Sequence, residues 1–300
     1  MSLGAIPGTG PATSPLSVVR KSKRKNFEDL PTGRTLVMGV LNVTEDSFSD
    51  GGKYLDVEDA IRHGLALLEA GAELIDVGGE STRPGADEVD PELEIKRVVP
   101  VVEALVRAGA VVSVDTMHVA TARRALAAGA HLINDVSGLT YESGMPELIA
   151  ETGVPYVLMH RRGTASDMQS HAEYRDVAAE VAAELSELRD TFLAAGVKPE
   201  QIILDPGVGF AKTAEQNWEL LGNLEPIEAL GHRVLIGTSR KRFLGKLLSV
   251  DGVERAPLER DAATVATSVL AAQRGVWAVR VHDVRANLDA LEVLRAHGSH

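Results

Sequence analysis

Short apolar runs in this chain keep ending on residues that hydrogen-bond or carry charge. Val37–Leu41 runs into Asn42, Leu74 and Ile75 run into Asp76 with Gly78-Gly79-Glu80 behind it, and Val111–Val114 runs into Asp115. The same ending recurs at Asn134-Asp135, His160, Asp205, Ser239-Arg240-Lys241 and Arg280-Val281-His282. One such ending carries no message, because every strand must leave the core somewhere. Eight in succession predict a ring of donors and acceptors at the C-terminal edge of a parallel sheet, where barrels of this class hold their active sites.

The ring divides by charge. Asp115, Asn134, Asp205 and Lys241 supply acceptors and donors on neighbouring strands, the set that an amino-pyrimidinone edge requires. A carboxylate accepting two such N–H bonds discriminates strongly, since an analogue lacking them leaves a buried charge unpaired. Taken singly, Asp115 and Asp135 read equally well as caps of the helices that follow them. Asn42, Arg83, Arg280 and His282 make the second half. Two guanidiniums and an imidazole converging in an acidic protein suggest a phosphate or pyrophosphate. Arg83 stands in GGESTRPGA, a loop punctuated by glycine and proline where function is commonly carried. Alone, it reads also as a surface arginine paired with Glu80 or Asp87.

A regular frame must position these groups. Strand-like runs are predicted at Leu36–Val43, Leu74–Val77, Val111–Asp115, Leu132–Asp135, Tyr156–His160, Ile202–Asp205, Val234–Gly237 and Ala278–Val281. Helical periodicity lies between them at Val57–Ala70, Pro91–Ala108, His118–Ala128, Tyr174–Ala195, Ala214–Leu221 and Arg260–Arg274, with Val284–Ala296 last. Glycines such as Gly129 and Gly153 stand where a left-handed residue ends a helix before the next strand. Strands alternating with helices give a parallel sheet. Eight units over this length favour a closed (β/α)8 TIM barrel, with an open doubly wound sheet as the alternative. The expected organisation is an α/β single domain over 35–297, preceded by a flexible leader over 1–34.

Composition narrows the function classes. The 300 residues include no cysteine, so disulfides and thiolate chemistry are excluded and a cytoplasmic setting is the easier reading. The net charge is −12, although Arg20, Lys21, Lys23, Arg24, Lys25 and Arg34 make the leader basic. So acidic a body repels nucleic acid and anionic membranes. No apolar run approaches the roughly 20 residues of a membrane span. Familiar motifs fail on inspection. Asp46–Gly51 has Phe48 where a calcium ligand should be, and Gly207-Val208-Gly209 lacks the third glycine of a dinucleotide fingerprint. His160 with His282 is too sparse for a zinc site.

Seven segments in order, MGVLNVTEDSFSDGG, DVGGESTRPGA, SVDT, INDVSG, LDPGVGF, GTSRKRFLG and RVHDV, closely resemble the dihydropteroate synthases, the pterin-binding barrels of folate biosynthesis. The resemblance extends from about residue 36 to 287. It implies condensation of (7,8-dihydropterin-6-yl)methyl diphosphate with 4-aminobenzoate. Carried over position by position, it makes Asp115, Asn134, Asp205 and Lys241 the pterin readers, with Met159 and Phe210 lining the ring. Asn42, Arg83, Arg280 and His282 become the diphosphate site, aided by Mg2+ at Asn42. Phe48, Thr82, Pro84, Ser239 and Lys241 become the aminobenzoate wall. The resemblance also implies a homodimer, a sulfonamide target and a loop over Thr44–Gly52 that closes on substrate. Two positions depart from the family pattern: Glu45 replaces a common proline, and Arg242 either approaches the aminobenzoate carboxylate or faces solvent. The competing readings are a pterin-binding methyltransferase domain, which has no use for the Arg83/His282 anion site, and a catalytically silent paralogue.

Overall fold

A computed structural model describes residues 25–44, 53–81 and 89–298. Eight parallel strands close into a barrel in chain order. They are β1 (Leu36–Asn42), β2 (Leu74–Gly78), β3 (Val111–Asp115), β4 (Leu132–Asp135), β5 (Tyr156–Met159), β6 (Ile202–Asp205), β7 (Arg233–Ile236) and β8 (Ala278–Val281). The surrounding helices are α1 (Lys53–Glu69), α2 (Pro91–Arg107), α3 (Val119–Ala127), α4 (Met145–Thr152), α5 (Val177–Ala194), α6 (Ala214–Gly222), α7 (Glu225–Glu228), α8 (Arg242–Leu247), α9 (Asp261–Gln273) and α10 (Val284–Gly298). The barrel is therefore the fold, and the open sheet is not.

Alternation along the strands sorts side chains into two apolar layers. Leu36, Met38, Leu74, Val111, Leu132, Val157, Ile203, Leu235 and Ala278 fill the lower lumen. Val37, Leu41, Ile75, Val77, Val112, Val114, Ile133, Leu158, Leu204 and Val279 pack outward against the helices. Counting upward in twos from the lumen layer reaches Asn42, Asp76, Asp115, Asn134, Met159, Asp205, Arg280 and His282. The polar ring is thus the continuation of the apolar plug beneath it. Register places Asp115 beside Asn134 and Gly78, and Met159 beside Asp205.

Phe27 and Leu30 pack under the lower lumen with Trp277. The Phe27 and Trp277 rings lie 5.8 Å apart, and the Arg233 guanidinium sits 5.0 Å from the Phe27 ring. The packed body therefore begins upstream of the Thr35 boundary expected for a free leader, because Phe27 and Leu30 cover apolar surface at the barrel base. Residues 1–24 lie outside the described residues. Three further helices, α4, α7 and α8, were too short to show periodicity.

Candidate active site

The mouth of the barrel is organised around Arg280, which stands between two carboxylates. Its Nε donates to Asp76 Oδ2 at 2.6 Å and its Nη2 to Asp115 Oδ2 at 2.8 Å. Asp76 Oδ2 also accepts from Asn134 Nδ2 at 2.9 Å, while Asp76 Oδ1 is buried with no hydrogen-bond partner. Burial pulls the Arg280 guanidinium down, but Asp76 and Asp115 more than offset it, so its pKa is raised. Burial pushes the Asp115 carboxyl up to about 8; Arg280 opposes this and the neighbouring charge of Asp76 adds to it.

Across the mouth, Asp205 Oδ1 accepts from the Gly207 N–H at 2.7 Å. Burial raises its pKa, with Lys241 and that N–H pulling the other way. Lys241 Nζ donates to the Val208 carbonyl and lies 4.6 Å from the Phe210 ring centroid. Burial lowers its ammonium to about 8, against the pull of Asp205. Gly207 is required here. Its φ is +67°, and a Cβ would stand 1.8 Å from the His160 carbonyl oxygen. The predicted pterin set, Asp115, Asn134, Met159, Asp205, Phe210 and Lys241, is thus gathered at one mouth.

On the β7–β8 side, Ser239 Oγ accepts from the His282 backbone N–H at 3.1 Å and lies 2.8 Å from His282 Nδ1. The Ser239 hydroxyl thus fixes the orientation of the imidazole through two contacts to one residue. Asn42 is half-buried at the end of β1, and its amide makes no hydrogen bond among the described residues. Phe48, Thr82, Arg83, Pro84 and Glu45, with the expected closing loop, lie outside the described residues.

Three sequence expectations change. His160 and Asp135 leave the ring, because each falls on the outward-facing parity of its strand. His160 bonds Glu184 of α5 at 2.8 Å and Lys212 at 3.0 Å; Asp135 bonds Ser137 and Tyr156 at the barrel–helix interface. Arg240 pairs with Asp261 at 2.8 Å rather than facing the mouth. Arg242 is exposed and forked onto Glu254, so the solvent-facing reading holds. Arg280 belongs to both halves of the ring, which its assignment to the anion half alone did not anticipate. Asp76, given no role from sequence, organises the centre. Its signal was its two-residue spacing from lumen-facing Leu74.

Comparison with known proteins agrees with this geometry. The family described as "Pterin binding enzyme" matches residues 38–282. The chain is 53% identical to dihydropteroate synthase of Mycobacterium leprae over 262 residues, covering 87% of this chain and 92% of that protein. It is 44% identical to the Escherichia coli K12 enzyme over 261 residues, covering 87% and 90%. The structure of Xanthomonas albilineans dihydropteroate synthase with 4-aminobenzoic acid superposes with a TM-score of 0.83 at 45% identity, covering 89% of this chain and 94% of that one. The same enzyme in complex with 7,8-dihydropteroate gives 0.81 at 42%, covering 90% and 96%.

Proposed function

The chain belongs to the dihydropteroate synthase family of pterin-binding enzymes, and we propose that it joins 4-aminobenzoate to (7,8-dihydropterin-6-yl)methyl diphosphate, forming 7,8-dihydropteroate and releasing pyrophosphate. The observation that carries this reading is the Asp76–Arg280–Asp115 arrangement facing Asp205 and Lys241 across one barrel mouth. It offers carboxylates for a pterin N–H edge and a guanidinium for a leaving anion within one constellation. A methyltransferase domain needs the first and not the second.

The roles follow from the chemistry. Asp115, Asn134, Asp205 and Lys241 read the pterin edge, and Met159 and Phe210 bound its faces. Pterin donors on Asp115 replace the contact now made by Arg280 Nη2, and that edge of the guanidinium turns to the diphosphate. His282, oriented by Ser239, contributes its imidazole to the same anion, and the family resemblance assigns Arg83 to that anion as well. Positive charge placed where negative charge develops on the departing oxygens is the principal stabilisation. The aromatic amine of 4-aminobenzoate is already neutral at pH 7, so attack on the methylene requires no strong base. Ser239 and Lys241 serve the aminobenzoate side, to which the family resemblance also assigns Phe48, Thr82 and Pro84.

Among the described residues no group of three His, Cys, Asp or Glu side chains could hold a metal. The donors present suit Mg2+, which takes few protein ligands and draws the rest from substrate phosphate and water. The Asn42 amide oxygen, a hard donor with no competing bond among the described residues, would hold it. When bound, Mg2+ neutralises charge on the leaving diphosphate.

The test is pyrophosphate release with purified protein. Release is expected only when pterin diphosphate and 4-aminobenzoate are both present. Release with pterin diphosphate alone, or none with both, contradicts the reading.

We also infer a homodimer in the cytoplasm. Leu247, Val250, Val253, Leu258, Leu270 and Val293 are exposed on α8, the turn after it, the segment 257–260, α9 and α10, which neighbour one another. A run of exposed apolar residues on adjoining elements fits self-association. Sedimentation velocity should give the mass of two chains, and L258E/L270E should shift it to one. A monomeric wild type at micromolar concentration sinks the assignment. No helix among the described residues is long and apolar enough to cross a membrane.

A further inference from the structure

Behind the pterin wall lies a buried polar chain that the chemistry above does not use. Lys212 is almost wholly buried, at 3% exposure. Its Nζ lies 3.0 Å from His160 Nδ1 and donates to the carbonyls of Gly207 and Phe210, each at 3.1 Å. His160 is completely buried, and its Nε2 lies 2.8 Å from Glu184 Oε2. Glu184 is in turn forked by Arg162 Nε, whose guanidinium stacks 4.0 Å from the Tyr174 ring. A protonated amine has only hydrogens to give, so His160 Nδ1 accepts and the imidazole proton sits on Nε2, facing Glu184. Burial accordingly pushes the His160 pKa down to about 4 and keeps the ring neutral.

The loop held by this chain is the one that forms the site. Gly207, Gly209 and Ala211 have φ of +67°, +85° and +48°, so backbone carbonyls that a regular element would pair are turned aside. They are met by two ammonium groups from opposite faces. Lys241 takes the Val208 carbonyl on the lumen side, while Lys212 takes those of Gly207 and Phe210 on the helix side. Ala211 adopts a left-handed conformation that an L-residue disfavours, and it persists only where its surroundings impose it.

We propose that Lys212 is a positioning residue of the pterin site: tied through His160 to Glu184 of α5, its ammonium holds the Gly207–Phe210 loop in the shape that presents Phe210 and Lys241 to the pterin. The inference rests on the pterin reading of the mouth and extends it to a residue that never touches substrate. The groups facing Lys212 are Asp205, Lys241, Arg162, Glu184 and His160, with the Tyr174 ring 5.8 Å away. Burial lowers its ammonium to about 7 against the pull of Asp205, so its charge is complete on the acid side of neutrality. Its charge also acts on Asp205, whose carboxyl it pulls down against the effect of burial. Removing that charge raises the Asp205 pKa, so the acid limb of pterin affinity moves to higher pH.

The experiment compares wild type with Lys212→Met, which keeps the side-chain length and deletes the donors. A pterin lacking the diphosphate is titrated by calorimetry across pH, and KM is measured for both substrates. Lys212→Met is expected to weaken pterin binding about tenfold, the usual effect of losing hydrogen bonds from a charged donor. The KM for 4-aminobenzoate should rise by less, within about threefold, since on that side only Lys241 leans on the loop, through the Val208 carbonyl, while Ser239 does not. The acid limb should rise in pH. Should Lys212→Met fail to fold, His160→Asn, which cuts the tie to α5 and leaves both carbonyl bonds, is expected to give a smaller loss with the same selectivity. Unchanged pterin affinity, or equal losses for both substrates without a moved pH limb, overturns the proposal. A wild type that binds no pterin overturns the functional reading instead.

Discussion

Arg280→Met is expected to abolish turnover and to destabilise the protein together, and the two losses should be separable. The guanidinium is the hydrogen-bonded counterion of Asp76, which is wholly buried, and of Asp115, which is nearly so. Removing one member of a buried charged set strands the others, at a typical cost of about 3–5 kcal/mol. Urea unfolding should show that loss in full only above about pH 8, where Asp115 as well as Asp76 is left as an unpaired carboxylate. It should shrink as pH falls, because protonated carboxyls no longer need a cation. Adding Asp76→Asn to Arg280→Met removes one stranded charge and keeps an oxygen to accept from Asn134. The double variant should therefore recover part of the stability and none of the turnover. Turnover should fall at least about 100-fold, the scale of losing one preorganised donor at a developing oxyanion. Stability unchanged by Arg280→Met would contradict the role given to the pair, and turnover restored in the double variant would contradict the anion role.

The frame was legible because both of its signals are local. Strand ends are fixed by where apolar residues stop, and the predicted strands match the observed ones to within a residue or two. The helices given no range, α4, α7 and α8, have eight residues or fewer, too little for a 3.6-residue period to declare itself, although Gly153 marked the end of α4. Inside the mouth, the gathering of Asp115, Asn134 and Asp205 was readable because they sit at strand ends with lumen parity.

What sequence misjudged was the face. His160 and Asp135 are polar and terminal like the others, but stand one residue out of phase, and a shift of one residue points a side chain into the helical layer. Parity counted from Leu132 and Val157 would have excluded both. The pairing of Arg280 with Asp76 could not be read in this way, since the two are joined by 204 positions of sequence and by barrel closure alone. Lys212 was hidden for another reason. A lysine after a glycine-rich loop looks like a surface residue until the left-handed turns show which carbonyls it must satisfy.

The state of Asp115 leads to the second large effect. In the free protein burial holds its pKa up to about 8, so near pH 7 the carboxyl keeps most of its proton. Pterin N–H donors favour the carboxylate, because an ionised acceptor takes two hydrogen bonds that a protonated one shares poorly. Binding therefore lowers this pKa and expels a proton in the interval between the bound value and about 8. Affinity should rise with pH through neutrality and level off above it. Calorimetry at pH 7 in buffers of different ionisation enthalpy would then give observed heats that vary with buffer, in the direction of proton release. Asp115→Asn should abolish that dependence and cost about 2–4 kcal/mol in pterin affinity, since an amide places a donor against a donor. Asp205→Asn should weaken binding yet leave the release attributable to Asp115 in place. Buffer-independent heats in the wild type would mean that Asp115 enters the complex already ionised, and that Arg280, rather than the pterin, sets its charge.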